Sequence, residues 1–392
     1  MPVPSRRIRG AAPRLAALLL VALLPVLAAA CGGKGNSQLA IGRADVAGAR
    51  TEIDAFSGIP KFEPPGPGFD ANRKLRGKTI FEIPITSEVP FVAAVERGMR
   101  QAVAMVGARL VVYPNQGQPA QWAQGISAAI AQRVDAIALL AQDPALLGPQ
   151  IAQAEKAGIP VIVLRTTGEG ERCPADPNGK LYGTTCVPGP FEQAGRLEAD
   201  WVIQATNGTA HVLVITSNDA RSTAPLMRGL RSEFGRRCPP CKTTTVDVPI
   251  PDWASRIRSE VQSALVRDPK IDYVIPIYDS MSQFVVPAIR AAHADGRVRI
   301  AAFNGTPFVL KLMQDGNIVA MDAGENLAWL GWAAMDQTFR VIAGEQPVKS
   351  EHTPLRVFDL RNVADAGRPP RFDAGYGTAY VSGYRKLWHV EG

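Results

Sequence analysis

Cysteine is the residue type in this chain with the clearest capacity for chemistry. Cys238 and Cys241 stand in Cys-Pro-Pro-Cys, the spacing of a redox dithiol in which a thiol at a helix start is activated as its thiolate. That use needs the motif between a strand and a following helix. Here it follows a helical stretch, in a Pro-rich loop beside Arg236 and Arg237, which fits a structural staple better. Cys173 and Cys186 bracket a loop rich in Pro, Gly and Asn. The histidines, His211, His293, His352 and His389, are scattered and lack the spacing of metal ligands. No Gly-rich phosphate loop or dinucleotide fingerprint occurs, and no Gly-x-Ser-x-Gly elbow. These patterns predict no catalytic residues, no metal and no cofactor.

Cys31 has a different setting. Arg6, Arg7, Arg9 and Arg14 flank or open an apolar run from Leu15 to Ala30, and Ala28-Ala29-Ala30 stand just before Cys31. A basic start, a short apolar stretch and a small-residue boundary form an export signal, which is removed from the mature chain. The run of about 16 residues falls short of the roughly 20 that a spanning helix needs. Ser5-Arg6-Arg7 hints at a twin-arginine signal, but Arg9 stands where that signal has an apolar residue. With Cys at the first mature position, the segment resembles a bacterial lipoprotein signal. It departs from that pattern at Ala28, where the family prefers Leu. The resemblance implies a diacylated Cys31 and a protein anchored at the outer face of the cell membrane, or on its periplasmic side. In an exported protein, local disulfides are the plain reading of the other cysteines. Short separations favour Cys173–Cys186 and Cys238–Cys241, although sequence alone does not fix connectivity.

These groups must be positioned by a sizeable body. The chain has 392 residues, with 46% apolar and 20% charged, the composition of a globular protein. Beyond residues 1–30, about 360 residues remain, which suggests two domains. The formal charge of +7 includes four signal arginines. The mature chain therefore carries about +3, too weak and scattered for a nucleic-acid partner.

Residues 31–77 are poorly patterned and contain Pro60, Pro64, Pro65 and Pro67, which reads as a tether or a segment partly ordered against the body. From Lys78, short apolar runs alternate with helical periodicity. Strands are predicted at 79–83, 109–113, 136–140 and 160–164, then at 212–216, 245–249, 273–277, 299–303 and 319–321. Helices are predicted at 91–106, 122–132, 147–157, 192–206, 224–234, 254–266, 281–292, 307–314 and 327–343. Short buried strands alternating with longer helices indicate parallel βαβ units. Val134-Asp135-Ala136-Ile137 and Ile271-Asp272-Tyr273-Val274 echo each other, as expected of two similar lobes. Ligands of such sheets bind outside the carboxyl ends of the strands. In residues 361–392, Tyr376, Tyr380, Tyr384, Leu387 and Trp388 recur at near-helical spacing, which fits an extension covering an apolar face of one lobe.

From Lys78 to Leu360 the sequence resembles the ribose-type periplasmic (type I) binding proteins of ABC sugar importers. The marks are Val89-Pro90-Phe91, Gly158-Ile159-Pro160-Val161-Ile162, Ile271-Asp272-Tyr273-Val274 and Phe303-Asn304-Gly305-Thr306-Pro307. The resemblance implies an α/β fold of two doubly wound parallel-sheet lobes joined by a three-stranded hinge. Lobe 1 would comprise residues 78–187 and 325–353, and lobe 2 residues 188–324 and 354–360. Crossovers would fall near 186–189, 322–325 and 353–354. It also implies a non-enzymatic monomer that delivers a small carbohydrate-like ligand to an ABC permease. A sensor subunit presenting its ligand to a membrane receptor or kinase fits the same marks.

Carried over by position, the binding residues are Ser87, Glu88 and Phe91 after the first strand, then Arg165, Trp253, Tyr278, Asn304, Asp322 and Glu325, with Arg221 as a substitute for a family arginine. Phe91 and Trp253 would stack on a sugar face, or pack as helix-start core residues. Arg165 and Asn304 replace family carboxylates, and Tyr278 replaces an asparagine. Asp279 is expected to cap the helix after it.

Overall fold

A computed structural model describes residues 42–316 and 318–390. The export signal and Cys31 lie outside the described residues. In chain order the elements are α1 (Val46–Ala55), α2 (Ala71–Leu75), β1 (Thr79–Pro84), α3 (Pro90–Met105), β2 (Arg109–Val112), α4 (Pro119–Ala131), β3 (Ala136–Leu140), α5 (Gly148–Lys156), β4 (Val161–Gly168) and β5 (Thr185–Gly189). There follow α6 (Phe191–Ala205), β6 (His211–Thr216), α7 (Thr223–Arg237), β7 (Lys242–Asp247), α8 (Trp253–Arg267), β8 (Tyr273–Pro276), α9 (Ser282–Ala291), β9 (Arg299–Asn304), α10 (Pro307–Gln314), β10 (Val319–Glu325), α11 (Leu327–Ala343), β11 (Leu355–Phe358) and α12 (Ala379–Leu387).

Two sheets result. The first has the order β2-β1-β3-β4-β5, with every pairing parallel. The second has the order β11-β10-β9-β8-β6-β7, parallel except for the antiparallel β10–β11 pair. Strand β3 shows why the chain builds this architecture. All five of its residues are buried. Ile137 and Leu139 enter one apolar layer with Trp122 and Ile126, while Ala136, Ala138 and Leu140 enter another with Val95 and Leu330. Alternate side chains point to opposite faces, so a run without polar positions demands helices on both sides.

Glycines set the closest helix contacts. A Cβ on Gly331 of α11 would lie 2.5 Å from the Met99 backbone nitrogen of α3, and one on Gly229 of α7 would lie 2.0 Å from the Glu192 carbonyl of α6. Each lobe thus packs one helix pair backbone to backbone.

The chain passes between the lobes after β5, after β10, and between α11 and β11. Glu325, expected to open the second part of lobe 1, ends β10 in the second sheet. Of the two readings of residues 31–77, the described part follows the second, a segment ordered against the body, rather than a tether. Residues 42–77 lie on the body rather than leading to it. Asp45 caps α1 through the Gly48 N–H at 2.9 Å, and α1 buries Ala49 and Ile53 in the core of lobe 2. The Phe56 carbonyl accepts from Val357 N at 2.8 Å. The Phe62 ring then meets Trp329 and Tyr384 of lobe 1, and Phe69, Ala71 and Leu75 are buried there.

The C-terminal extension makes a second such passage. Tyr376 packs edge-on against Phe358 of lobe 2. The α12 rings Tyr380 and Tyr384, and Trp388 just after the helix, enter the lobe 1 cluster with Trp329, Trp332 and Phe339. The two terminal segments also pair with each other, Phe69 N donating to Leu387 O at 2.8 Å and Ala71 N to Trp388 O at 3.2 Å. The lobes are therefore joined by two passages beyond the three-stranded hinge. Both cysteine pairs are bonded, Cys173 to Cys186 and Cys238 to Cys241.

Candidate functional site

The carboxyl ends of both sheets face one cavity of about 70 Å³. Lobe 1 contributes Ile85 and Val89 from the turn after β1, Phe91 at the start of α3, Ala141 after β3, and Arg165 of β4. That turn is fixed from below. Asn115 donates to the Pro84 carbonyl at 2.8 Å, and the Trp122 indole donates to the Ile85 carbonyl at 2.9 Å. Lobe 2 contributes Phe191 at the start of α6, Ser222, Trp253, Tyr278, Ser280 and Asn304. The Trp253 indole donates to Ser217 Oγ at 2.7 Å, so its ring edge is anchored. Its ring lies 6.4 Å from that of Tyr278. The Tyr278 hydroxyl is tied to Ser222 Oγ at 2.7 Å and Thr223 Oγ1 at 3.0 Å, and burial pushes it up to about 12.

The strongest polar contact joins the lobes. Arg165 of β4 reaches Glu325 of β10 through both terminal nitrogens, at 2.8 and 2.7 Å, and both side chains are buried. The guanidinium also lies 4.6 Å from the Phe191 ring centre and 5.7 Å from that of Phe91. Burial raises the Glu325 carboxyl, while Arg165 and the Asn304 amide draw it back down. A bidentate fork of this kind is both strong and directional.

Beneath Asn304 sits a carboxyl pair. Asp279 Oδ2 accepts from both the backbone N–H and the hydroxyl of Thr306 at 2.6 Å. Asp322 Oδ1 accepts from Gly305 N at 3.0 Å. Burial raises Asp279 well above the carboxylate range, with the Asp322 charge adding to the rise, and pushes Asp322 up to about 7. The pair holds the Asn304-Gly305-Thr306 turn.

Backbone strain marks the same place. Non-glycine residues with positive φ fall into two groups. Arg133, Asn207, His293 and His389 follow helix ends, where a left-handed residue closes the helix. Ala141 (φ 73°), Arg165 (φ 60°) and Asn304 (φ 137°) close no helix, and all three line the cavity. Such conformations cost about 1–3 kcal/mol each and cluster at ligand sites.

Of the expected binding residues, Phe91, Arg165, Trp253, Tyr278 and Asn304 line the cavity. The others do not. Ser87 and Glu88 are exposed, and Ser87 Oγ accepts from Asn115 N at 3.1 Å, which ties down the turn. Arg221 lies on the rim, its guanidinium 3.4 Å from Asp143 of lobe 1. Asp322 and Glu325 are fully buried and act on neighbouring protein groups. Asp279 makes no helix cap, because its carboxyl is engaged by Thr306. Sequence reasoning missed Phe191, whose signal was its place just after the first crossover, and Ala141, which carried none. Among the described residues, no group of three or more His, Cys, Asp or Glu could hold a metal, and no helix is long and apolar enough to cross a membrane.

Two parallel α/β lobes, joined by a multi-stranded hinge and sharing a cavity at their strand ends, define a bilobal binding protein. Residues 81–346 match the family described as periplasmic binding protein domain, and the chain belongs to that family of extracytoplasmic, non-enzymatic ligand carriers. No functionally curated protein matches the sequence significantly. Solved structures share the fold. A Caulobacter myo-inositol binding protein bound to myo-inositol is 21% identical with a TM-score of 0.65, covering 75% of this chain and 98% of its own. An Agrobacterium vitis ABC transporter solute-binding protein bound to α-D-tagatopyranose is 20% identical with a TM-score of 0.66, covering 74% and 96%. A 5-methylthioribose transporter solute-binding protein from Thermotoga lettingae is 17% identical with a TM-score of 0.66, covering 82% and 94%.

Proposed function

We propose that this protein is the solute-binding component of an ABC importer, anchored outside the cytoplasm by a lipid on Cys31, and that it captures a small carbohydrate-like ligand between its lobes. The observation that carries the reading is the aromatic cleft. Phe91 of lobe 1 and Trp253 and Tyr278 of lobe 2 face one cavity, with Arg165 and Asn304 beside them. Aromatic faces offer flat apolar surface to the C–H groups of a sugar ring, and Arg165 supplies a directional donor. The sugars and cyclitols bound by proteins of the same fold agree with this chemistry.

Capture works by a shift between open and closed lobes, which the ligand favours through contacts with both. Exposed ion pairs join the two lobes at the rim of the cleft. Arg221 faces Asp143, and Arg228 bridges Glu171 of lobe 1 at 2.6 Å and Glu192 of lobe 2 at 2.8 Å. The closed monomer would then dock on the permease. Thermal unfolding against a panel of sugars, polyols, sugar acids and aromatic acids tests the reading, because a ligand that binds only the folded state must raise the midpoint. A shift with a neutral sugar or polyol supports it. A shift only with aromatic acids contradicts the carbohydrate assignment.

A further inference from the structure

The cleft's hydrogen-bonding groups are largely spent on one another, and this narrows the ligand class within the binding-protein reading, on which the inference rests. A fully hydroxylated sugar needs a partner for each hydroxyl that it takes out of water. Leaving one unpaired costs roughly five- to a hundredfold in affinity. The Tyr278 hydroxyl is held by Ser222 and Thr223, and Thr223 Oγ1 also donates to the Ser217 carbonyl at 2.5 Å. The Trp253 indole N–H is held by Ser217. Both terminal nitrogens of Arg165 engage Glu325, which also draws on the Asn304 amide. Lobe 2 therefore presents ring faces, with Ile250 and Ala220 beside them. Polar groups that these contacts leave open gather at one end, on Ser280, Asn304 and the spare N–H groups of Arg165, while the Ser222 and Tyr278 oxygens keep acceptor capacity alone.

We infer that the ligand is an amphipathic sugar: a small ring with one polar edge and one flank stripped of hydroxyls, either deoxygenated or carrying an alkyl, thioalkyl or aryl group. The bare flank lies on the Trp253–Tyr278 wall. The polar edge meets Arg165 and Asn304. The committed donors make this wall selective, because a ligand hydroxyl placed there finds no free N–H or O–H to donate to its own oxygen.

Calorimetric titration of the purified protein with matched pairs tests this. The probes are D-ribose against 5-deoxy-D-ribose and 5-methylthio-D-ribose, and D-glucose against 6-deoxy-D-glucose and phenyl β-D-glucopyranoside. A deoxygenated or substituted member binding about tenfold or more tighter than its parent, about 1.4 kcal/mol, is the expected result. Parents that bind equally or better overturn the inference and leave the binding-protein reading standing. No binding by any of these compounds contradicts both. Trp253→Ala should collapse the preference within a pair, while Trp253→Phe, which keeps a ring and protects folding, should retain most of it. Equal weakening of parent and substituted sugar in Trp253→Phe contradicts the placement of the bare flank.

Discussion

Replacing Glu325 by Gln isolates what the buried ion pair contributes to holding the lobes in register. In the native protein the Arg165 fork meets the carboxylate at 2.8 and 2.7 Å, with side-chain exposures of 3% and 0%. Glutamine keeps the size and one acceptor but removes the charge. Arg165 then stays buried as a cation with a neutral partner. Removing one member of a buried pair costs about 3–5 kcal/mol. The retained amide oxygen and the unchanged Phe191 contact place the expected loss at the lower end, about 3 kcal/mol. Removing both members behaves differently, because no charge is left uncompensated. Arg165→Met combined with Glu325→Leu is expected within about 1 kcal/mol of the parent. Urea unfolding followed by far-ultraviolet circular dichroism measures both variants, with midpoint and slope compared so that a change in cooperativity is visible. A single variant that loses under about 1 kcal/mol, or a double variant that loses as much as the single, refutes the reasoning.

Trp388→Ala removes a fully buried ring that stacks on Trp332 at 5.3 Å and donates to Asp336 at 2.6 Å. A loss of about 3–5 kcal/mol is expected, read as a lowered urea midpoint, and an unchanged midpoint would show that α12 is not part of the core. Stability should fall as pH rises from about 4 to 8. Burial pushes Asp322 up to about 7 and Asp200 to about 8, so the folded chain holds protons that the unfolded chain releases near pH 4. Urea midpoints should be higher at pH 5 than at pH 8.5, with the difference reduced in Asp322→Asn; a higher midpoint at pH 8.5 contradicts this. Arg228→Ala should weaken ligand binding by no more than about fivefold, because exposed pairs are worth about 0–1 kcal/mol. A tenfold loss in titration would mean that the rim pair carries closure.

Much of the fold was legible because its signals are local. The unbroken apolar run Ala136–Leu140 announces a doubly covered strand, and Leu327–Ala343 has the bounds that its periodicity predicts. Residues 31–77 left tether and partly ordered segment both open because α1 buries only Ala49 and Ile53, too few positions to establish a period. Its docking depends on contacts such as Phe56 with Val357, distant in sequence. The cavity lining was foreseen where the family resemblance carried over aromatic positions, as at Phe91, Trp253 and Tyr278. The acids were misread because a buried structural carboxylate and a ligand-binding one look alike in sequence. Glu325 is distinguished only by Arg165, 160 residues away. Ala141 shows its role only through its backbone angle.

Small-angle X-ray scattering with and without a saturating sugar that raises the unfolding midpoint tests the central claim, that two lobes close over a ligand in the Arg165–Trp253 cleft. The account predicts a more open ligand-free protein and a smaller radius of gyration when bound. It also predicts scattering from the bound form that fits the described structure, and no compaction in Trp253→Ala. Identical scattering with and without bound sugar, or compaction that survives Trp253→Ala unchanged, would contradict it.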